Sequence, residues 1–398
     1  MNRRVRRTGR RRAPVTTGES RLPDLDGAVV TAVALLAVLG LLMVYSATAT
    51  RDLERLVPPY FVRQLGACLV GVAVAAGAAR VPLVAWQRLA VPLWAAGVAL
   101  LLATLALGVE VNGAQRWLVV PGVGVQFQPV EIAKWATVLA VAALLAPGSG
   151  RVTPSPLCIS ASLAMAGLPA ALLLAQPDLG NAVLILGLVT LLLFIAGTPL
   201  VYFAAPAVAG LGALLLHLKL HDYALDRLTG FRNPWATADS EGFQLVQSFV
   251  AFRRGGLFGT GLGDGRQKLF YLPEAHTDFI LALVAEELGL FGVLLVLGAF
   301  AALLVAGTRI ARRAHSQFAA LLAFGMTALL VVPALVNVAV VTGTVPTKGM
   351  ALPLLSYGRT GVVMSFAALG VLLGIGMRDA RSRSQPVGGA ARRKSWRR

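Results

Sequence analysis

Apolar and polar positions along this 398-residue chain fall in blocks rather than in alternation. Runs rich in Leu, Val and Ala cover 27–47, 60–79, 89–107, 129–146 and 157–175, then 180–196, 200–218, 279–307, 318–341 and 361–377. Proline, glycine or charge separates each run from the next. About 20 apolar residues at about 1.5 Å rise cross the hydrocarbon layer, so the pattern predicts about ten transmembrane helices and an all-α integral membrane protein. An even number of spans returns both termini to one side. The same parity puts 110–128, 219–277 and 342–358 on the other side, the second being the longest loop.

Composition agrees with that solvent. Hydrophobic residues make up 57% of the chain and charged residues 14%, and mean hydropathy is +0.74, which leaves too little polar surface to enclose a water-soluble core. One integrated bundle over 23–379 is expected. The formal charge of +18 resembles a nucleic-acid signature until its location is read. Eight arginines precede Asp26, and eight Lys or Arg lie from Arg378 onward. Basic tails over 1–22 and 380–398, disordered by composition, mark the cytoplasmic side and suit contact with anionic membrane lipid. Arg309, Arg312 and Arg313 fall on that side by parity. No recognition motif or basic–aromatic interleaving accompanies the tails, so nucleic acid is not an expected partner. The first apolar run is too long for a signal peptide and more spans follow it, so it reads as a retained helix. Cys68 and Cys158 have no paired spacing and read as packing residues.

Chemistry-bearing residues concentrate in the outer segments. In VNGAQRWLVVPGVGVQFQPVEIAKWA, Arg116 and Trp117 precede Glu131, which falls in the first turn of a span where the macrodipole favours an anion, and Lys134 one turn deeper. A capped helix with an interfacial tryptophan and a snorkelling lysine explains these residues as well as a site does. Asp178 in AQPDLGNA reads as an acidic N-cap after a turn. The glycine run RRGGLFGTGLGDGRQK, with Arg254, Arg266 and Lys268, could cradle phosphate through backbone N–H groups, but it matches neither nucleotide-binding pattern. KLFYLPEAHTDFILALVAEELGLFG places Glu274, His276, Thr277 and Asp278 at the mouth of a span and Glu286 and Glu287 inside it. Buried ion pairs account for the two glutamates. They account less well for His-Thr-Asp at the mouth, where dipole and water favour a charged Asp278.

A carboxylate beside an apolar groove, ringed by Arg and Lys, suits an acceptor hydroxyl meeting a lipid-linked pyrophosphate. The base takes the hydroxyl proton, worth about 10² to 10⁴ in rate, and cations stabilise charge on the departing pyrophosphate. Because pyrophosphate leaves readily, one strong carboxylate suffices, unlike most glycosidases. No His, Cys and carboxylate cluster has metal-ligand spacing; a divalent cation, Mg or Mn, at the pyrophosphate stays open.

Several motifs occur together in one order: GLLMVYSATA (40–49), RQ (63–64), NGAQRW (112–117), QPVEIAK (128–134), QPDLGNA (176–182), GLGDGRQKLFYLPEAHTDFILALVAEELG (261–289) and LPLLSYG (352–358). With these the chain resembles the SEDS proteins (shape, elongation, division and sporulation), multi-span polymerases of bacterial peptidoglycan, over about 27–377. KLFYLPEAHTDFI looks more like the cell-division member than the elongation member. The resemblance implies ten helices with both ends cytoplasmic. It also implies transfer of a growing glycan from undecaprenyl pyrophosphate to the 4-hydroxyl of lipid II at the outer face of the cytoplasmic membrane. A catalytic role at Asp278 and importance at Trp117 follow from it, as does partnership with a class B penicillin-binding protein and other divisome or elongasome membrane proteins. The expected substrate-binding set is Arg63, Arg116, Trp117, Glu131, Lys134, Arg254, Arg266, Lys268, Glu274, His276, Thr277, Lys348, Ser356 and Arg359.

The chain departs from the family at Val130, often Ser, at Arg253 and Arg254, often small residues, and after SYG, where Arg359, Thr360 and Gly361 replace the common Gly and Ser. A cation opening a helix opposes the macrodipole by about 0.3 to 1 kcal/mol, so Arg359 needs an anionic partner or water, and substrate pyrophosphate is the expected one. Three classes compete: a glycosyltransferase built on Asp278, a lipid II flippase or other transporter, and a non-catalytic scaffold for a cross-linking enzyme.

Overall fold

The computed structural model describes residues 24–49, 57–111, 114–122, 124–146, 153–220, 230–272 and 275–384. The tail residues 1–22 and 385–398, Asn112, Gly113 and Glu274 lie outside the described residues.

The long helices are α1 (Asp24–Ala49), α2 (Pro59–Arg80), α3 (Leu83–Leu107), α4 (Pro129–Leu145), α5 (Pro156–Ala175), α6 (Leu179–Ile195) and α7 (Val201–Leu220). They continue as α8 (Phe243–Gly255), α9 (Ile280–Arg313), α10 (Gln317–Val341) and α11 (Arg359–Ser384). All except α8 coincide with the ten predicted spans. Among the described residues seven helices are long and apolar enough to cross a membrane, and α6 and the first part of α7 are shorter apolar helices. The remaining one, α4, has 17 residues and carries Glu131 and Lys134, yet most of its side chains are buried. It packs against α3, α5, α6, α10 and α11, so its surroundings are protein rather than lipid.

Small residues let the backbones of α2 and α11 approach closely. A Cβ at Gly370 would come 2.3 Å from the Ala75 carbonyl oxygen, and one at Gly374 2.7 Å from that of Ala79. Helices in lipid associate through such close backbone packing, because burying apolar surface gains little when the solvent is itself apolar.

Three features differ from the expected pattern. First, the loop after α3 forms a small antiparallel meander: β1 (Val109–Val111), β2 (Ala114–Val119) and β3 (Gln126–Phe127), with Glu110 opposite Gln115 and Leu118 opposite Phe127. Asn-Gly between alternating residues is a hairpin signal that helix-length blocks obscure. Second, the long loop contains α8 and a π-helical turn at Gln267–Tyr271, and α11 extends past Ala380 into the stretch expected as a tail.

Third, α9 is interrupted. Gly289 takes φ 67°, ψ −165°, a region open only to glycine, and divides the element into a short buried helix and a long one. The glycine turn after α8 satisfies the freed backbone. The amides of Thr260 and Gly261 donate to the carbonyls of Glu286 and Glu287 at 2.9 and 3.1 Å. The amides of Leu290 and Phe291 donate to the carbonyls of Gly256 and Leu257 at 2.9 and 3.2 Å. A broken helix inside an apolar bundle requires such partners, since an unsatisfied peptide group there is costly. Glycine is needed for the approach: a Cβ at Gly255 would stand 1.7 Å from the Ala285 carbonyl oxygen.

The helix ends sort into two polar layers. At one end Arg378 donates to the carbonyls of Ala79, Arg80 and Val81, Gln87 donates to that of Ala146, and His315 pairs with Asp379. At the other end lie the meander, the starts of α4, α6, α9 and α11, and the segment 342–358, which hold the residues below.

Candidate functional site

The first turns of four helices and the segment before α11 converge around Asp278. Asp278 is half-buried, one residue before the N-cap Phe279 of α9, and Phe279 and the following helical turns are fully enclosed. Its carboxylate lies against the backbone of Gly349: a Cβ there would be 2.5 Å from Asp278 Oδ2. The preceding residue, Lys348, lays its side chain over Gly180 at the head of α6, where a Cβ would be 1.9 Å from Lys348 Cε.

Beside Gly180 runs a polar line. Asp178 caps α6, accepting from the amide of Asn181 at 3.2 Å and from Asn181 Nδ2 at 2.8 Å. Asn181 Oδ1 accepts from Lys134 Nζ at 3.2 Å, and Lys134 pairs with Glu131 at 2.6 Å. Glu131 in turn faces the opening of α11, its carboxyl carbon 3.8 Å from where a Cβ of Gly361 would lie. An anion there complements the positive helix end that Arg359 opposes. The amide of Gln128 donates to Thr360 Oγ1 at 3.0 Å and fixes α4 to α11.

His276, Thr277 and Ser356 hold this mouth in shape. Ser356 Oγ donates to the Thr277 carbonyl and accepts from the Leu352 amide, and the Tyr357 amide donates to the His276 carbonyl at 2.9 Å. Gln64 Nε2 donates to the Ser356 carbonyl at 3.0 Å, tying α2 to the same turn. The buried His276 ring packs edge-on to Tyr60, with centroids 5.2 Å apart, and Arg63 lies 6.0 Å from the Tyr60 ring centre. This aromatic wall includes Tyr357, 5.1 Å from Tyr60.

Arg116 and Trp117 sit on β2, and the Arg116 guanidinium donates to the carbonyls of Gln176 and Pro177, clasping the meander to the α5–α6 turn. Arg359 is the half-buried first residue of α11.

The cations of the long loop are used differently from expectation. Lys268 is enclosed, and its ammonium reaches Glu287 at 2.8 Å, Ser46 Oγ at 2.8 Å and the Gly263 carbonyl. Arg254 pairs with Glu286 at 3.6 Å, and Arg266, with its side chain exposed, donates its amide to the Glu286 carboxylate at 3.0 Å. The amides of Gln267 and Gly263 bind the two glutamates at 3.0 Å each. The Lys268 ammonium and the amides of Gly263, Arg266 and Gln267, expected to meet substrate phosphate, bind Glu286 and Glu287 in this structure. Buried ion pairs are what the two glutamates form.

Sequence reasoning passed over Asn181, Asn337 and Gly349. Asn337 was findable, being a lone amide inside the apolar run of α10. Among the described residues no three His, Cys, Asp or Glu side chains converge to hold a metal ion.

A family model described as cell cycle protein, FtsW/RodA/SpoVE, matches residues 27–381. Two bacterial proteins, each named "Probable peptidoglycan glycosyltransferase FtsW", are similar over most of the chain. That of Coxiella burnetii is 41% identical over 87% of this chain and 94% of its own length, and that of Halomonas elongata 40% identical over 91% and 93%. Among solved structures, one chain from a study of polymerization and crosslinking by a peptidoglycan synthase complex superposes with TM-score 0.71 at 28% identity, covering 88% of this chain and 97% of that one. The rod shape determining protein RodA of Thermus thermophilus superposes with TM-score 0.64 at 29% identity, covering 90% and 97%.

Proposed function

The chain belongs to the cell cycle protein family of FtsW, RodA and SpoVE, and from that membership and the site we propose that it is a peptidoglycan glycosyltransferase polymerising lipid II. The observation that carries the reading is Asp278: a half-buried carboxylate at the head of an enclosed helix, against Gly349, with Lys348 the residue before that glycine. Asp278 takes the proton of the acceptor hydroxyl as that oxygen attacks the anomeric carbon of the growing glycan. The bond from that carbon to the lipid diphosphate breaks, and its electron pair leaves on the diphosphate. Lys348, whose side chain lies over the head of α6, and Arg359 at the head of α11 are the cations assigned here to stabilise the leaving charge.

The site layer faces the outside and the Arg378 and His315 layer the cytoplasm, as the placement of basic residues supports. The bacterial cytoplasmic membrane is the proposed location, and the family description, cell cycle protein, favours the division site. A class B penicillin-binding protein is the expected partner, supported by the likeness to a chain from a synthase complex.

A transporter is the second reading, because interrupted helices are frequent at transport sites. Here, however, both half-helix ends at Gly289 bind the chain's own glycine turn, and Glu286 and Glu287 bind protein donors. The test is polymer formation from lipid II in proteoliposomes with the penicillin-binding partner, for wild type and Asp278→Ala, with translocation measured on the same vesicles. Loss of polymer with the variant supports catalysis. Polymer made equally by both would overturn it, and loss of translocation instead would favour transport.

A further inference from the structure

Asn337 lies in the last turns of α10, about 1% exposed, and its side chain reaches two separate pieces of the mouth. Its Nδ2 donates to the carbonyl of Asp278 at 2.7 Å and to the carbonyl of Met350 at 2.6 Å. Both neighbours are carbonyl oxygens, which only accept, so the amide nitrogen has to face them whatever the assignment of the side chain's N and O. Its Oδ1 accepts no hydrogen bond from the described residues, so the donor side alone holds the group in place.

The two carbonyls belong to the two sides of one contact. Asp278 presents its carboxylate to Gly349, and Met350 follows Gly349 directly. One nitrogen therefore ties the backbone of the acid to the backbone of the strip that carries Lys348 and Gly349. Among uncharged side chains of that size, only an amide puts two N–H donors on one atom.

We propose that Asn337 is a positioning residue for the transfer reaction. It fixes the separation between the Asp278 carboxylate and the Lys348–Gly349 strip without itself touching substrate. The inference rests on the reading of Asp278 as the base. A misplacement of about 1 Å at a reacting group can cost on the order of 100-fold in rate, so loss of the bridge acts on turnover rather than on lipid II binding.

The experiment uses the full chain with its penicillin-binding partner, purified lipid II, and activity normalised to protein that stays monodisperse in detergent. Asn337→Leu keeps the shape and removes both donors; Asn337→Asp turns a carboxylate toward two carbonyls. Asn337→Ser is small and keeps one donor. Expected are a drop in kcat of about tenfold or more for the Leu and Asp variants, KM for lipid II within about threefold of wild type, and an intermediate kcat for Ser. The acid limb of the pH–rate profile is expected to move in the Leu and Ser variants, because the surroundings of the base change. A purely structural amide would lower the folded yield and leave kcat, KM and the pH profile of the folded fraction as in wild type, which overturns the proposal. A rise in KM with kcat kept also overturns it. If the Leu and Asp variants do not fold, the kcat and pH profile of the Ser variant decide in the same way. Asp278→Asn run in parallel separates the two claims: an inactive Asp278→Asn with a fully active Asn337→Leu removes only the positioning role, whereas an active Asp278→Asn removes the catalytic reading beneath it.

Discussion

Gly349 shows how much of the site depends on an absent atom. The carboxylate of Asp278 occupies the space where a β-carbon would be, 2.5 Å from Oδ2. Gly349→Ala is expected to push the acid aside and cut the polymerisation rate by about tenfold or more, with the fold kept, because the displaced group is the end of a half-buried side chain. Polymerisation of lipid II by the purified variant with its partner checks this; an unchanged rate would mean that the observed carboxylate position is not the working one. At this scale the sequence was only partly legible. Asp278, Glu131 and Lys134 stood out because carboxylates and ammonium groups at the ends of apolar spans are costly and few. Gly349 and Asn181 did not, since a glycine or an amide in a loop looks the same whether or not a charged group leans on it.

Between elements, the decisive arrangement is the clamp on α9. Spacing alone made Glu286 and Glu287 a puzzle in lipid; the answer lies 20 or so residues back, in a glycine turn whose amides and Lys268 enclose both carboxylates. The pattern predicted one uninterrupted span over 279–307 because apolar blocks carry no signal for a break that is repaired by another segment. The enclosure of Lys268 was hidden in the same way: charge in a glycine-rich loop reads as exposed when its partner is not known. Lys268→Met leaves Glu287 enclosed without its ion-pair partner and is expected to destabilise the fold by about 3–5 kcal/mol, seen as a lower thermal unfolding midpoint in detergent. Lys268→Met with Glu287→Gln removes both charges and is expected to recover most of that loss. Equal midpoints for the single variant and wild type would show that the pair contributes nothing.

Across the whole molecule, the positions of the long helices were legible from block length, whereas the meander and α8 were not, being short elements inside loops that hydropathy treats as featureless. Sidedness has a direct test in a cysteine-free background. Ser240→Cys is expected to react with a membrane-impermeant thiol reagent added to intact cells, and Arg312→Cys only after the cytoplasmic face is opened; the reverse pattern would invert the molecule and remove Asp278 from its proposed substrate. The enclosure of α4 has a bearing on biogenesis. This helix, 17 residues long with Glu131 and Lys134 near its head, leaves the ribosome before α6, α10 and α11, which cover it in the finished bundle. Of the helices it packs against, α3 is the one already made, and the other faces of α4, with the Glu131–Lys134 pair near its head, are covered only as α5, α6, α10 and α11 join the bundle.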